Sequence, residues 1–346
     1  MRVLIAALML TMFSSAAPAC PFCLAPMQTW AEMIAEAEIV VLAKLVVAHE
    51  GSPVADPHSV LEIVKVHKGH DLHASARVGS MVTTKDYLYG QAGDLFLLRG
   101  GFRDTATPQV IETFATEEPT SPPAAPSPAI RKVSATDGTD EQTTIPAART
   151  FAWERGDQIS VAAFRYMTAA PDPQQETQER LKYFLPFLEA EDSLVAADAW
   201  GEFANADYAD IVANAELLSA AKLRTWIADQ QTSPERLGLY GMMLGLCGTD
   251  RDAAFLRQQI GLPTSDEIRF GVEGLMGGLL LLTGEDGLGF LEESRLQNQA
   301  ASQFDCFAVV QALQFVWAYA PERVERQRLR SALYPMLERA DPVSYT

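Results

Sequence analysis

From Glu176 onward, apolar residues return at helical spacing and whole segments echo one another; no other feature constrains the fold of this chain as much. Helices are predicted at Leu194 (LVAADAWGEFANAD), Leu237 (LGLYGMMLGLCGTD), Phe270 (FGVEGLMGGLLLLTGED) and Phe307 (FAVVQALQFVWAYAPE), 33 to 43 residues apart, each closed by a small or acidic turn. A helix of this kind buries its apolar face only by stacking on its neighbours. Periods in this range, with a helix pair per unit, predict a degenerate HEAT-like α-solenoid over residues 175–346. Gly241 and Gly245, then Gly271, Gly274 and Gly278, recur at about one-turn spacing. Shaping a ligand groove is one use of such a stripe; close helix packing is the favoured one.

Ahead of the helices the period changes. Residues 39–48, 59–66, 78–83 and 94–99 are short, β-branched or apolar, and separated by Gly, Pro, Asp and His, which predicts the strands of a small sheet or barrel. Residues 27–38 read as a short amphipathic helix with Trp30, Ile34 and Ala37 on one face. Over residues 115–150 the composition shifts to Pro, Ala, Ser, Thr and acids, too little apolar surface to offset ordering entropy, so a linker or insert is expected. Residues 151–174 carry aromatics again and are expected to connect and pack back.

Arg2, an apolar run of about eleven residues and Ala17-Pro18-Ala19 form a signal-peptide pattern over residues 1–19, with cleavage expected after Ala19 and a secreted or periplasmic product. The run is shorter than the roughly 18 residues that span a bilayer, so no transmembrane segment is expected in the mature chain. Lipid attachment at Cys20 is a lesser alternative, because Ala17 and Pro18 fit a lipoprotein box poorly. The formal net charge of −18 repels phosphate and argues against nucleic acid as a partner. The arginines from Arg323 to Arg339 are interleaved with Glu322, Glu325 and Glu338, as on a solvated helix face.

Four cysteines allow three pairings in an oxidising compartment. Cys20-Pro21-Phe22-Cys23 favours a local Cys20–Cys23 bond. Cys247 and Cys306 are expected either to bridge adjacent helices or to be buried as small hydrophobes. A catalytic dithiol gains its low pKa at a helix N-terminus after a strand; no strand precedes Cys20, and Pro26 sets the helix start later. All five histidines fall in the strand region, so no His-dependent nucleophilic centre can form from the helical half alone. His67, His70 and His73 have three-residue spacing, but Lys68-Gly69 breaks the helix that would bring them onto one ion, and a solvated loop is favoured. No metal site and no cofactor are therefore expected. Asp198, Glu202 and Glu273 stand within apolar helices and read as a concave binding surface or, more often, as partners of a nearby Arg. Asp250-Arg251-Asp252 lacks the glycine and terminal Glu of a calcium loop and reads as a helix cap.

Two resemblances follow from these motifs. A cysteine at the expected mature terminus, a short helix, the run Ala37-Glu38-Ile39-Val40-Val41, a strand closing at Lys68-Gly69 and a late Gly93-Asp94-Leu95-Phe96-Leu97-Leu98 resemble, in that order, a netrin-like or TIMP-like (tissue inhibitor of metalloproteinases) module over residues 20–114. That likeness implies an OB-like β-barrel, and a terminal Cys20 whose amine and carbonyl chelate a protease metal. The chain departs from the pattern in its C-x-x-C spacing and in having no further cysteine before Cys247 to anchor the terminus to the barrel. The CPFC motif, Arg180-Leu181-Lys182-Tyr183-Phe184-Leu185 and the Leu237–Gly248 stretch also resemble a family of secreted bacterial proteins ending in helical repeats, a likeness that implies no particular activity. The expectation is an α+β multidomain protein, an N-terminal OB-like barrel followed by a C-terminal HEAT-like solenoid. It is read as a cell-envelope protein that binds protein partners and is not an enzyme. The alternative is an activity centred on Cys20 and Cys23, either metalloprotease-inhibitor-like chelation or thiol–disulfide exchange.

Overall fold

The computed structural model describes residues 20–23, 27–52, 55–104, 149–262 and 269–334; the expected signal peptide and nearly all of the 115–150 linker lie outside them. The chain is α+β and divides into two units. One comprises Glu38–Gly93 and Leu98–Gly156. The other holds Met1–Ala37, Asp94–Leu97 and Asp157–Thr346.

The first unit is a barrel-like sheet. β1 (Ile39–His49), β2 (His58–Lys68), β3 (Met81–Thr84), β4 (Leu95–Asp104) and β5 (Arg149–Trp153) lie in the order β3-β2-β1-β4-β5. The first residues of β1 are buried one after another, whereas β2 begins in near alternation, so β1 is covered on both faces where it starts. Register shifts between Val40 and Val41, Leu42 and Ala43, and Leu45 and Val47 bend the β1–β2 ribbon and raise its twist. At the end of β2, Gly69 has φ 79°, and a Cβ there would stand 2.3 Å from the Glu38 carbonyl oxygen, so only glycine closes this turn. The Glu38 carboxylate accepts from the Phe102 backbone N–H and pairs with Arg149, which explains an acid placed just before an apolar strand.

β5 was not expected. Residues 149–153 cover the end of the predicted linker and the start of the connecting segment, yet they pair antiparallel with β4, setting Phe151 opposite Phe102 and Trp153 opposite Gly100. Cross-strand aromatic packing, with His73 stacked on Phe151 at 4.1 Å, supports a strand that a proline-rich flank conceals.

The second unit is helical. It contains α1 (Trp30–Glu36), α2 (Val161–Ala169), α3 (Thr177–Phe184), α4 (Ser193–Ala204), α5 (Tyr208–Ala213), α6 (Ala220–Ala228), α7 (Pro234–Cys247), α8 (Asp250–Gly261), α9 (Val272–Thr283), α10 (Glu285–Leu291), α11 (Gln303–Tyr319) and α12 (Arg326–Ala332). A two-residue strand, β6 (Asp157–Gln158), pairs with Phe96 and Leu97. The four echoing segments of the sequence are α4, α7, α9 and α11. No described helix is long and apolar enough to cross a membrane.

α7 and α9 meet backbone to backbone. A Cβ on Gly274 would lie 2.1 Å from the Gly238 carbonyl oxygen, and one on Gly278 would lie 2.0 Å from that of Gly241. The glycine stripe is therefore a packing seam, in which any side chain would force the helices apart.

The segment carrying Cys20 and α1 was expected to belong with the strands, in a domain spanning residues 20–114. It instead falls in the helical unit. Adjacency in sequence favours the strands; the deciding contacts are with α4, α7, α9 and α11.

Candidate functional site

Cys20 and Cys23 form a disulfide across a turn with a Cα–Cα distance of 5.3 Å, and the Cys23 N–H donates to the Cys20 carbonyl at 3.2 Å. The turn is tied down at both ends. The Cys20 N–H donates to the carbonyl of Ala204 at the end of α4 (3.1 Å), while Met27 and Asn205 exchange a backbone donor and an amide donor (3.2 and 2.6 Å). Between the two sulfurs, Phe22 is driven into the helices and is 6 % exposed.

Its seat is made by glycines. A Cβ on Gly277 would lie 2.5 Å from Phe22 Cζ, one on Gly238 would lie 2.7 Å from the Phe22 carbonyl oxygen, and the Phe315 ring closes the third side at 4.7 Å. Burying a phenylalanine contributes roughly 1.5–3 kcal/mol, so this one side chain is a substantial anchor.

The following helix is docked by buried charge. Thr29 and Glu32 form a capping box at the start of α1, and the Trp30 N–H donates to Asp198 Oδ1 at 2.7 Å. Tyr166 Oη donates to Asp198 Oδ2 at 2.8 Å, and Arg180 pairs with Glu202 one turn along α4. Burial pushes both carboxyls up, Glu202 to about 7, partly opposed at Glu202 by the Arg180 guanidinium. Asp198 and Glu202 thus lie on one face of a helix, as their spacing predicts. That face holds the N-terminal helix, and the Arg partner expected of such residues is Arg180.

Beside the disulfide lies a cavity of about 360 Å³. Pro21, Phe22 and Cys23 form one wall. Phe270, Phe304 and Phe307 form the rim, 58 %, 47 % and 59 % exposed. Gly271, with φ 80° and room for no Cβ against the Gly238 nitrogen, turns the chain into α9 and leaves Phe270 outside the core. Ser302 caps α11 by accepting from the Asp305 N–H at 3.0 Å, which places Phe304 on the first turn and Phe307 at the start of the second.

The polar part of the lining is mostly acidic: Glu235, Glu273 and Asp305 face a single cation, Arg269. Burial raises the pKa of Glu273, and the backbone N–H groups of Gly271 and of Glu273 itself partly oppose this. The lining side chains include no hydroxyl, free thiol or imidazole. The arrangement supplies shape, aromatic surface and negative charge.

The other residues singled out in the sequence lie apart from this groove. Cys247 and Cys306 carry thiols and no bridge joins them, contrary to a second disulfide. Burial raises the Cys247 thiol to about 11, and the Cys306 thiol donates to the Arg295 carbonyl at 3.7 Å. His67 is the penultimate residue of β2, His70 contacts Asp71, and His73 bonds Ser75; no group of three His, Cys, Asp or Glu among the described residues is arranged to hold a metal ion. Asp252 completes a capping box with Thr249 and pairs with Arg224.

Sequence reasoning missed the rim. Phe270 and Phe307 were read only as the starts of apolar helices, whereas both are among the most exposed large apolar side chains described. A signal was present in the i, i+3 pair Phe304 and Phe307 beside the acids Asp305 and Glu273. Compared with protein-family models, curated proteins and solved structures, the chain matches none.

Proposed function

We propose that this is a secreted or periplasmic binding protein of the cell envelope whose ligand site is the groove beside the Cys20–Cys23 turn. The observation that carries the reading is the rim. Three phenylalanines stay in water around an open cavity whose volume lies in the range of small-ligand sites, which is costly unless something covers them. The lining offers no pair of nucleophile and base, which favours binding over group transfer.

The finer architecture belongs to the same proposal. The strand order β3-β2-β1-β4-β5 suits an OB-like Greek-key barrel, in keeping with the netrin-like resemblance. In the helical unit, α7, α9 and α11 are successive neighbours, each followed by a shorter helix, as in a degenerate HEAT-like stack. Such a stack leaves an extended surface for protein partners of the envelope.

A cysteine-centred activity has one observation in its favour, that Cys23 lines the groove. Against it, Cys20 is 4 % exposed with its nitrogen engaged by Ala204, unlike the exposed sulfur of an exchange catalyst or a terminus that chelates metal. A ligand-observed NMR fragment screen separates the readings. Binders are expected that are lost in the double variant Phe304→Ala, Phe307→Ala and kept at reduced strength when Cys20 and Cys23 are both Ser. Fragments that bind the aromatic double variant equally well would remove the groove from consideration. Insulin-reductase activity abolished by the cysteine substitutions would instead establish the exchange reading.

A further inference from the structure

We infer that the groove takes a methylated ammonium group, the cationic head of a ligand with a small apolar body; the inference rests on the groove being the ligand site. The sign of the charge comes first. Arg269, the one cation in the lining, donates through both terminal nitrogens to the carbonyls of Ile260 and Gln259 (2.8 and 2.9 Å), which fixes its guanidinium at the C-terminal end of α8. Asp305 is matched by Arg295 at 3.7 Å. Glu273 accepts only from backbone N–H groups, and no salt bridge among the described residues engages it. With Glu235 the lining therefore sets three carboxyls against one guanidinium, an excess of acid behind an aromatic rim.

The rim fixes the kind of cation. Phe270, Phe304 and Phe307 line the cavity with rings that carry no hydrogen-bonding atom, and a ring face attracts a cation through its quadrupole. A primary ammonium brings three donors and needs acceptors to replace its water. Here Asp305 is engaged, Glu273 is partly satisfied and Glu235 is exposed to water, so such a group finds few acceptors inside the cavity to replace its hydration. A quaternary ammonium has no donors to satisfy and gains from ring faces and net charge alone. The cavity of about 360 Å³ accepts a head of that size with a short tail.

Calorimetric titration of the full chain with choline and with its uncharged isostere 3,3-dimethylbutan-1-ol tests this directly. Choline is expected to bind at least tenfold more tightly, and Glu273→Gln to shrink that ratio below threefold. Phe307→Ala is expected to weaken choline binding. Equal affinity for the two probes would overturn the cation assignment while leaving the groove a ligand site. Failure of both probes to bind would overturn the assignment and the binding-site reading together. Because the ratio is measured on the unaltered chain, the test stands even if a variant folds poorly. Co-sedimentation with phosphatidylcholine but not phosphatidylglycerol vesicles would assign the head group to a lipid. Choline binding without co-sedimentation would assign it to a free solute.

Discussion

The neighbouring glycines Gly277 and Gly278 of α9 are expected to respond differently to the same substitution, because Gly278 faces backbone and Gly277 faces side chains. In Gly278→Ala the new methyl would stand 2.0 Å from the Gly241 carbonyl oxygen, and neither helix can retreat without opening the seam. Overpacking of this kind costs about 1–3 kcal/mol, toward the upper end where backbone is struck, and the gain in helix propensity from Gly to Ala returns about 1. The net loss is about 2 kcal/mol, or about 4–8 °C in Tm for a unit of this size. Gly289→Ala, in α10 with nothing within 4 Å of its Cβ, carries only the propensity gain and should raise Tm slightly. Gly277→Ala meets Phe22 Cζ at 2.5 Å, and that ring can leave. Its expected signature is little change in the helical melt but faster hydrogen exchange through residues 20–37. Thermal melts and exchange mass spectrometry on the three variants decide the matter. Equal melts for Gly278→Ala and Gly289→Ala would refute backbone contact between α7 and α9, and unchanged exchange in Gly277→Ala would refute the seat of Phe22.

Two further outcomes follow from the buried ionisable groups. Glu202 is harder to ionise folded than unfolded, so the folded chain holds the extra proton between pH 4.5 and about 7, and stability falls as pH rises through that window by up to about 1.4 kcal/mol per pH unit. Urea titrations across pH 4.5–7.5 should show that decline in the parent chain and a flatter profile in Glu202→Gln; identical profiles would remove Glu202 as its source. Cys247, raised to about 11, and buried Cys306 should resist iodoacetamide at pH 7.5 in the native protein, and two thiols should be alkylated after denaturation without reductant. Four alkylated cysteines, or none, would contradict the pairing.

The parts of this structure that were legible in the sequence are those fixed by local physics. The apolar runs of β1 and β2, the four apolar helices, the cap at Asp252 and the short reach from Cys20 to Cys23 all depend on residues within a few positions of one another. The parts that were not legible depend on partners far along the chain. β5 needs Phe102 opposite Phe151, about fifty residues away across a proline-rich stretch. The place of the N-terminal segment is decided by Gly238, Gly277 and Asp198, more than 160 residues downstream. The rim was hidden for another reason: α11 carries apolar residues nearly all round, so periodicity cannot say which of its phenylalanines face water. The glycine stripe was visible, but the notch for Phe22, made by Gly238 and Gly277 outside that stripe, needed the third dimension.

Phe22 joins the two halves of the candidate site, since it is both the plug in the glycine notch and a wall of the groove. The disulfide brackets it on either side, so the bond restrains the residue that shapes the site, with Cys20 itself held against the end of α4. Closing a loop this short removes about 2 kcal/mol of disorder from the undocked segment, or about a 30-fold change in its docked-to-undocked ratio. Cys20→Ser with Cys23→Ser is therefore expected to act locally. The melt of the helices should move little, exchange through residues 20–37 should quicken, and probe affinity for the groove should fall with the docked population. A catalytic dithiol would behave differently, with reduction changing thiol chemistry and leaving the groove intact. If exchange and probe affinity were both unchanged in the double variant, the bond would not be a clamp, and Phe22 would hold its seat by packing alone.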